Sequence, residues 1–401
     1  MYNKHRQNRT TPGEHAPRRR MRKGEIPVKK LGFGMMRLPL NDPKDQKNID
    51  FDQVCKMVDA FMAKGFTYFD TAFVYHMGES EHIVRRAVVE RYPRDKFTVA
   101  TKLFMVQIDS EEAQEKMFAE QLEKVGVDYF DYYLLHNLNV AHYDKAKKFG
   151  SFEFISRKKA EGKIKNIGFS FHDKADLLDE ILTAHPEVDF VQLQINYIDW
   201  DSDNVQSGKC YDVCVKHGKP VVVMEPIKGG TLAGIPEEAA EVLKAANPDA
   251  SIASWAIRYT ASLDNVMVVL SGMSDRAQVE DNIGYMDDFK PLTDVERAAI
   301  AKVVEIINAK IAVPCTSCRY CVDGCPMSIP IPRFFGLYNS YKQFGDASRS
   351  HFWYGMETQS DKVGKASACV ACGQCESACP QHLEIINTLK DVAALFEVPA
   401  E

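Results

Sequence analysis

The feature that most constrains this chain is a pair of cysteine runs near its C-terminal end. The first is Cys315, Cys318, Cys321 and Cys325 followed by Pro326; the second is Cys369, Cys372, Cys375 and Cys379 followed by Pro380. Both read C-x2-C-x2-C-x3-C-P, and together they hold eight of the eleven cysteines. Thiolates separated by two residues can all turn into one tight loop and ligate the irons of a cubane. A disulfide between such near neighbours would be strained. A zinc ribbon uses two C-x2-C pairs and would leave the third cysteine of each run unemployed. The spacing therefore predicts two [4Fe-4S] clusters.

The runs resemble those of two-cluster ferredoxins, in which the fourth cysteine of a run ligates the other cluster. That resemblance implies Cys315, Cys318, Cys321 and Cys379 for one cluster, and Cys369, Cys372, Cys375 and Cys325 for the other. The intervening stretch is rich in aromatics, including Phe334, Phe335, Tyr338, Phe352 and Trp353, which are expected to pack the domain. Cys55, Cys210 and Cys214 fall in helical patterns and are read as small buried hydrophobes without chemistry.

A formal charge of −6 gives no basic face for phosphate binding, so no nucleic-acid partner is expected. The longest apolar runs, Val221 to Met224 and Val266 to Leu270, are strand-sized and far short of a bilayer span, so no membrane segment is expected either. Residues 1–25 carry Arg18, Arg19, Arg20, Arg22 and Lys23 without the apolar stretch a secretory signal needs, and read as a disordered basic tail. A cytoplasmic protein of anaerobic metabolism is the expectation.

From residue 26 to residue 311 the chain alternates short apolar runs with segments of helical periodicity. Strands are predicted at Leu31–Met35, Phe66–Phe69, Phe97–Ala100, Tyr129–Leu135, Lys165–Phe169, Phe190–Leu193, Val221–Met224 and Val266–Leu270. Helices are predicted at Gln53–Lys64, Glu79–Glu90, Glu111–Lys124 and Ser202–Lys216. Eight βα units imply a (β/α)8 TIM barrel. An open doubly wound sheet would announce a G-x-G-x-x-G turn after its first strand, and Gly32 and Gly34 do not fit one. Thr293 to Lys310 reads as a capped helix with a Thr293/Glu296 capping box, leading into a ferredoxin-like iron-sulfur domain over residues 312–401.

Chemistry in such barrels sits at the C-terminal ends of strands. Asp70-Thr71-Ala72-Phe73-Val74-Tyr75-His76-Met77-Gly78-Glu79-Ser80-Glu81 follows strand two, Thr101-Lys102 ends strand three, and Leu135-His136-Asn137 ends strand four. On these residues the chain resembles the aldo-keto reductase superfamily, in a branch fused to a two-cluster ferredoxin-like domain. The resemblance implies a catalytic tetrad of Asp70, Tyr75, Lys102 and His136. A hydride delivered to a carbonyl leaves an alkoxide that an acid must protonate, and Tyr75 would be that acid. Lys102, held by Asp70, is expected to lower the Tyr75 pKa, and His136 to orient the carbonyl. His76, His82, His142 and His172 are read as surface or loop residues, with His76 and His172 near enough to line the pocket.

The resemblance also implies NADP or NAD lying across the barrel mouth. Gly34 and Met35 would contact it after strand one, Ser170 and Gln192 would hold its carboxamide, and Met224, Pro226 and Ile227 would follow strand seven. Gly272, Ser274, Arg276, Gln278 and Asn282 would form the adenosine-phosphate site, where a helix N-terminus suits an anion. NADP-preferring relatives carry Lys and Arg at the positions of Gly272 and Gln278, so the case for NADP is weakened; Arg276 either pairs with a 2'-phosphate or is an exposed helix residue. The leading expectation is reduction of a small carbonyl compound, or oxidation of the alcohol, with the clusters serving electron transfer or architecture. A ferredoxin-coupled reductase with a vestigial dinucleotide site, served by a ferredoxin-like electron carrier, is the second reading, and a redox-sensing binding module the third.

Overall fold

The computed structural model describes residues 28–397; the basic tail lies outside the described residues. Among the described residues no helix is long and apolar enough to cross a membrane. The chain divides into two compact units. Among the described residues, one contains residues 28–195 with Cys210–Pro226 and Ile257–Pro291, and the other contains Asn196–Lys209, Ile227–Ala256 and residues 292–397.

The first unit is a closed parallel barrel of eight strands in sequential order. They are β1 (Leu31–Gly34), β2 (Tyr68–Asp70), β3 (Thr98–Leu103), β4 (Phe130–Leu138), β5 (Ile164–Phe171), β6 (Phe190–Gln194), β7 (Val221–Met224) and β8 (Val266–Gly272). β1 closes on β8 with Leu31 opposite Val269 and Gly34 opposite Gly272. The barrel interior is packed with Tyr68, Tyr132, Leu134, Phe190, Val222 and Val268. Two glycines make room for these side chains. A Cβ on Gly168 would stand 2.7 Å from Phe190, and one on Gly32 would stand 2.8 Å from Leu270 and Val268.

Outside the barrel the helix Phe51–Ala63 buries Val54, Met57, Val58 and Phe61, a stripe spaced three and four apart. Phe61 meets Phe33 of β1 edge-on at 5.4 Å between ring centroids and stacks on Phe66 at 5.1 Å. Burying one such ring stabilises the unit by about 1.5–3 kcal/mol. The helix starts where Asp50 accepts a hydrogen bond from the Gln53 amide at 3.0 Å.

Two predicted helices differ from what forms. The segment expected over Glu79–Glu90 is α-helical only from Ser80 to Val84 and continues as a π-helical turn over Arg85–Val89. The helix expected from Ser202 starts at Ser207. There the Ser202 hydroxyl accepts from the Asn204 and Val205 amides, and Gln206 takes a left-handed φ of 55°, so local polar bonds displace the helical ones.

In the second unit the helix Asp294–Asn308 opens on the expected capping box of Thr293 and Glu296. The helices Ile331–Phe344, Ser348–Glu357 and Ile385–Phe396 surround a core in which Phe334, Tyr354 and Phe396 are in ring contact. Phe334, Phe335 and Tyr338 are buried as expected. Phe352 and Trp353 are not, with exposures of 60% and 39%. Ser350 and Tyr354 take the inward face of their helix, which turns residues 352 and 353 outward. Gly364 donates its amide to the Ser328 carbonyl at 3.2 Å, and a Cβ there would fall 2.0 Å from the Met327 carbonyl oxygen.

Candidate active site and cluster cavities

The barrel mouth brings Asp70, Tyr75, Lys102 and His136 together. Lys102, fully buried on β3, donates from Nζ to Asp70 Oδ1 at 2.7 Å and to the Thr71 carbonyl at 2.6 Å. Its Nζ lies 4.9 Å from the centre of the Tyr75 ring. The His136 ring stands edge-on to Tyr75 at 6.1 Å, with Phe104 at 5.9 Å on its other flank.

Local backbone strain places these groups. After Tyr75 the chain turns through His76 and Met77 at φ of 51° and 55° and Gly78 at 94°, three consecutive left-handed residues. His76 fixes that turn: its Nε2 accepts from the Leu38 amide at 3.1 Å and its Nδ1 bonds the Gln46 carbonyl at 2.9 Å. His76 is therefore a buried structural residue. On β4 the register against β5 shifts between Leu135 and Leu138, and Asn137 takes φ 62°. His136 thus sits in a bulge inside a strand that is longer than predicted.

The electrostatics correct one expectation. Burial raises the Tyr75 pKa above its ordinary value, and Lys102, the next largest influence, offsets it only in part. The shift accordingly favours the neutral phenol of Tyr75. Burial also pushes Lys102 down, but Asp70 and Tyr75 outweigh it and the ammonium is favoured. Asp70 itself is raised by burial against the pull of Lys102, which taken alone would weaken the ion pair. The 2.7 Å contact, with a second acceptor at 2.6 Å, supports the charged pair.

His136 is held neutral, first by burial and then by the Lys102 charge and the neighbouring His172 and His142. His172 follows β5 and is exposed to solvent, so it adds little to this balance. His136 binds a proton more weakly folded than unfolded, so its contribution to stability is present above an unfolded pKa of about 6.5 and is lost as pH falls below it. The melting temperature is expected to drop as pH falls below about 6.5, and replacing His136 by Asn should flatten that slope.

The proposed dinucleotide contacts are placed as follows. The Ser170 hydroxyl accepts from the Asn137 amide at 2.8 Å, leaving its own proton to donate. Gln192 Nε2 points at the Met224 sulfur at 3.6 Å, and Gln192 Oε1 is buried without a partner, an acceptor suited to a carboxamide N–H. Gly34 lies in β1, and the Met35 side chain is fully buried, its amide donating to the Asp70 carbonyl. Pro226 is buried and Ile227 half-buried. Asn282 is buried, donating to Ser271 and accepting from the Tyr285 hydroxyl. Asp275 caps the helix Arg276–Met286, accepting from the Gln278 amide at 2.8 Å and its side chain at 2.9 Å. Gln278 in turn accepts from the Ser274 amide, and Arg276 pairs with Glu280 at 2.6 Å. Sequence reasoning missed Arg37, whose side chain runs along Gly272 while its carbonyl accepts from Ser274. Its place just after β1 is the signal that could have nominated it.

In the second unit the cysteines gather around two cavities. One is lined by Cys315, Cys318, Cys321 and Cys379, the other by Cys325, Cys369, Cys372 and Cys375. Among the described residues no three such side chains are arranged to hold a single metal ion. The two runs share a backbone form. Ser317 and Ala371 have φ of 54° and 53°, Arg319 and Gly373 have 70° and 78°, and Ser328 and His382 have 52° and 51°. Strain repeated at three equivalent positions marks loops shaped around a ligand. Cys210 and Cys214 are buried and Cys55 is half-buried, in keeping with packing roles.

Comparison with known proteins fits this geometry. The curated relatives include an aldo-keto reductase of Glycine max, 29% identical over 217 residues, and the NADH-specific methylglyoxal reductase of Escherichia coli, 28% identical over 209 residues. The matches cover 52% and 47% of this chain, and the chain spans 58% and 61% of those relatives' lengths. The fold is also that of an aldo-keto reductase from Bacillus halodurans in its holo form, at a TM-score of 0.56 and 24% identity, covering 69% of this chain and 92% of that one. A Klebsiella pneumoniae aldo-keto reductase solved with NADPH matches at 0.54 and 20% identity, over 69% of this chain and 91% of that one. The 4Fe-4S dicluster domain pattern matches residues 314–384, and the Aldo/keto reductase family pattern matches residues 30–305. The chain therefore belongs to the aldo/keto reductase family and carries a 4Fe-4S dicluster domain after its barrel.

Proposed function

We propose that this oxidoreductase interconverts a small carbonyl compound and its alcohol, using Tyr75 as proton donor, Lys102 and Asp70 as the charged pair behind it, and His136 as the group that orients the carbonyl. The observation that carries this reading is the buried Asp70–Lys102 pair, with Lys102 Nζ 4.9 Å from the centre of the Tyr75 ring. A nicotinamide dinucleotide, when bound, supplies the hydride. Ser170 and Gln192 hold its carboxamide, and Met224 packs beside it. As charge builds on the substrate oxygen, Tyr75 gives up its proton there, and the Lys102 ammonium stabilises the tyrosinate left behind. A neutral His136 donates a hydrogen bond to the same oxygen without adding charge.

NADH is the preferred dinucleotide. The Arg276–Glu280 pair is exposed and worth only about 0–1 kcal/mol, so it does not lock Arg276 away. The Asp275 carboxylate decides, because it occupies the helix N-terminus that a 2'-phosphate would use. Repulsion of about 1 kcal/mol there corresponds to roughly fivefold weaker NADPH binding. The Escherichia coli relative is itself NADH-specific. Anaerobic titration with NADH and with NADPH, reading nicotinamide fluorescence and cluster bleaching together, tests both points. Asp275→Asn should narrow the difference, and binding of neither dinucleotide would sink the reading.

The two cavities take two [4Fe-4S] clusters on the crossed cysteine sets. Cys318 and Cys372 are exposed, one at each cavity, which favours exchange of electrons with a soluble carrier such as a ferredoxin. If no dinucleotide binds and the clusters still reduce a barrel-bound substrate, the ferredoxin-coupled reading takes its place.

A further inference from the structure

Behind the reacting residues lies a buried polar network that the proton-transfer scheme leaves unused. Its centre is Glu81, fully buried in the helix Ser80–Val84. Glu81 Oε1 accepts from the Thr101 hydroxyl at 2.7 Å and from Gln121 Nε2 at 2.7 Å. Gln121, itself fully buried, also donates to the Lys102 carbonyl at 3.0 Å. Tyr133 donates to Gln121 Oε1 at 2.6 Å, which fixes the amide with its nitrogen toward Glu81; the reverse orientation would set two acceptors against each other. Thr101 and Lys102 are neighbours on β3, so the network grips that strand on both sides of the lysine.

The preceding residue grips the adjacent strand. Ser80 Oγ donates to the Met35 carbonyl at 3.0 Å, so in its 2.8 Å contact with Thr71 it is the acceptor. Thr71 follows Asp70, and its carbonyl is the second acceptor for Lys102 Nζ. One dipeptide thus reaches the ends of β1, β2 and β3. Glu81 Oε2 is buried with no partner, and burial raises the Glu81 pKa. A buried carboxyl held by neutral donors is costly, and a glutamine or leucine would fill the space at lower cost. Such a cost is expected where position matters more than stability.

We propose that Ser80 and Glu81 are positioning residues that set the distance between Asp70 and Lys102, and through it the acidity of Tyr75. This rests on the role assigned to Tyr75 above. Neither residue touches substrate; both act through the strands they hold.

The test compares holoprotein of the wild type, Glu81→Leu and Thr101→Val. The measurements are kcat and KM across pH, melting temperature, and the Tyr75 part of the tyrosinate absorbance titration, taken as the difference from Tyr75→Phe. Glu81→Leu, which removes the acceptor that Thr101 and Gln121 share, should lower kcat about tenfold to hundredfold with KM for the dinucleotide unchanged. The alkaline limb of the kcat profile and the Tyr75 absorbance step should move together. Thr101→Val should move both in the same sense, and it serves alone if Glu81→Leu does not fold. A kcat near wild type, or a loss that follows the melting temperature while the Tyr75 step stays put, overturns the proposal. The absorbance step needs no turnover, so it reports on the clamp even if carbonyl reduction proves to be the wrong reaction.

Discussion

Tyr75→Phe is expected to lower kcat for carbonyl reduction by about a thousandfold, within the usual range for losing a positioned general acid. That corresponds to about 4 kcal/mol of transition-state stabilisation. Dinucleotide affinity and both clusters should be retained, since the hydroxyl contributes only at the proton-transfer step. The Lys102 charge then acts on the product side, where a tyrosinate must be tolerated beside Asp70. Steady-state kinetics and a single-turnover hydride measurement check this, and turnover near wild type removes Tyr75 from its assigned role.

Removing the last cysteine of the second run should strip the cluster of the first. Cys379 shares its cavity with Cys315, Cys318 and Cys321, while the other cavity keeps four cysteines of its own. Cys379→Ser is therefore expected to cut iron from about eight to about four atoms per chain. Its spectrum should match that of Cys318→Ser and differ from that of Cys372→Ser. Cys379 also lies in the core of its unit, so the melting temperature should fall with the lost iron. If Cys379→Ser instead pairs with Cys372→Ser by electron paramagnetic resonance, each run keeps its own cluster and the crossing is wrong.

Much of this was legible in the sequence, for reasons that vary by element. Eight apolar runs located eight strands because a barrel strand is buried on both faces, though several strands extend past their runs into the barrel mouth. The cysteine spacing carried the iron-sulfur domain because the ligand pattern is local in each run, whereas the crossed sets came only from the resemblance to two-cluster ferredoxins. The Asp70 to Glu81 segment located the barrel mouth, but its internal work was not readable. Glu81 acquires its role from Gln121 and Tyr133, whose side chains arrive from other βα units. The sign of the Tyr75 shift was missed because a charge partner can be inferred from sequence, whereas the depth of burial that outweighs it cannot. Phe352 and Trp353 were misplaced because a stretch of aromatics does not say which helix face will be covered. The π-helical turn at Arg85–Val89 leaves no compositional mark.

The matched left-handed residues of the two cysteine loops have a consequence for how the domain matures. Each cavity draws one cysteine from the opposite run, so filling either one ties the loops that begin at Cys315 and Cys369 to each other. The entropy of closing the intervening chain is then spent only once. The second cavity is met already shaped, its strained turns held by the first. Iron insertion in the wild-type chain is on this plan cooperative, the first cluster favouring the second.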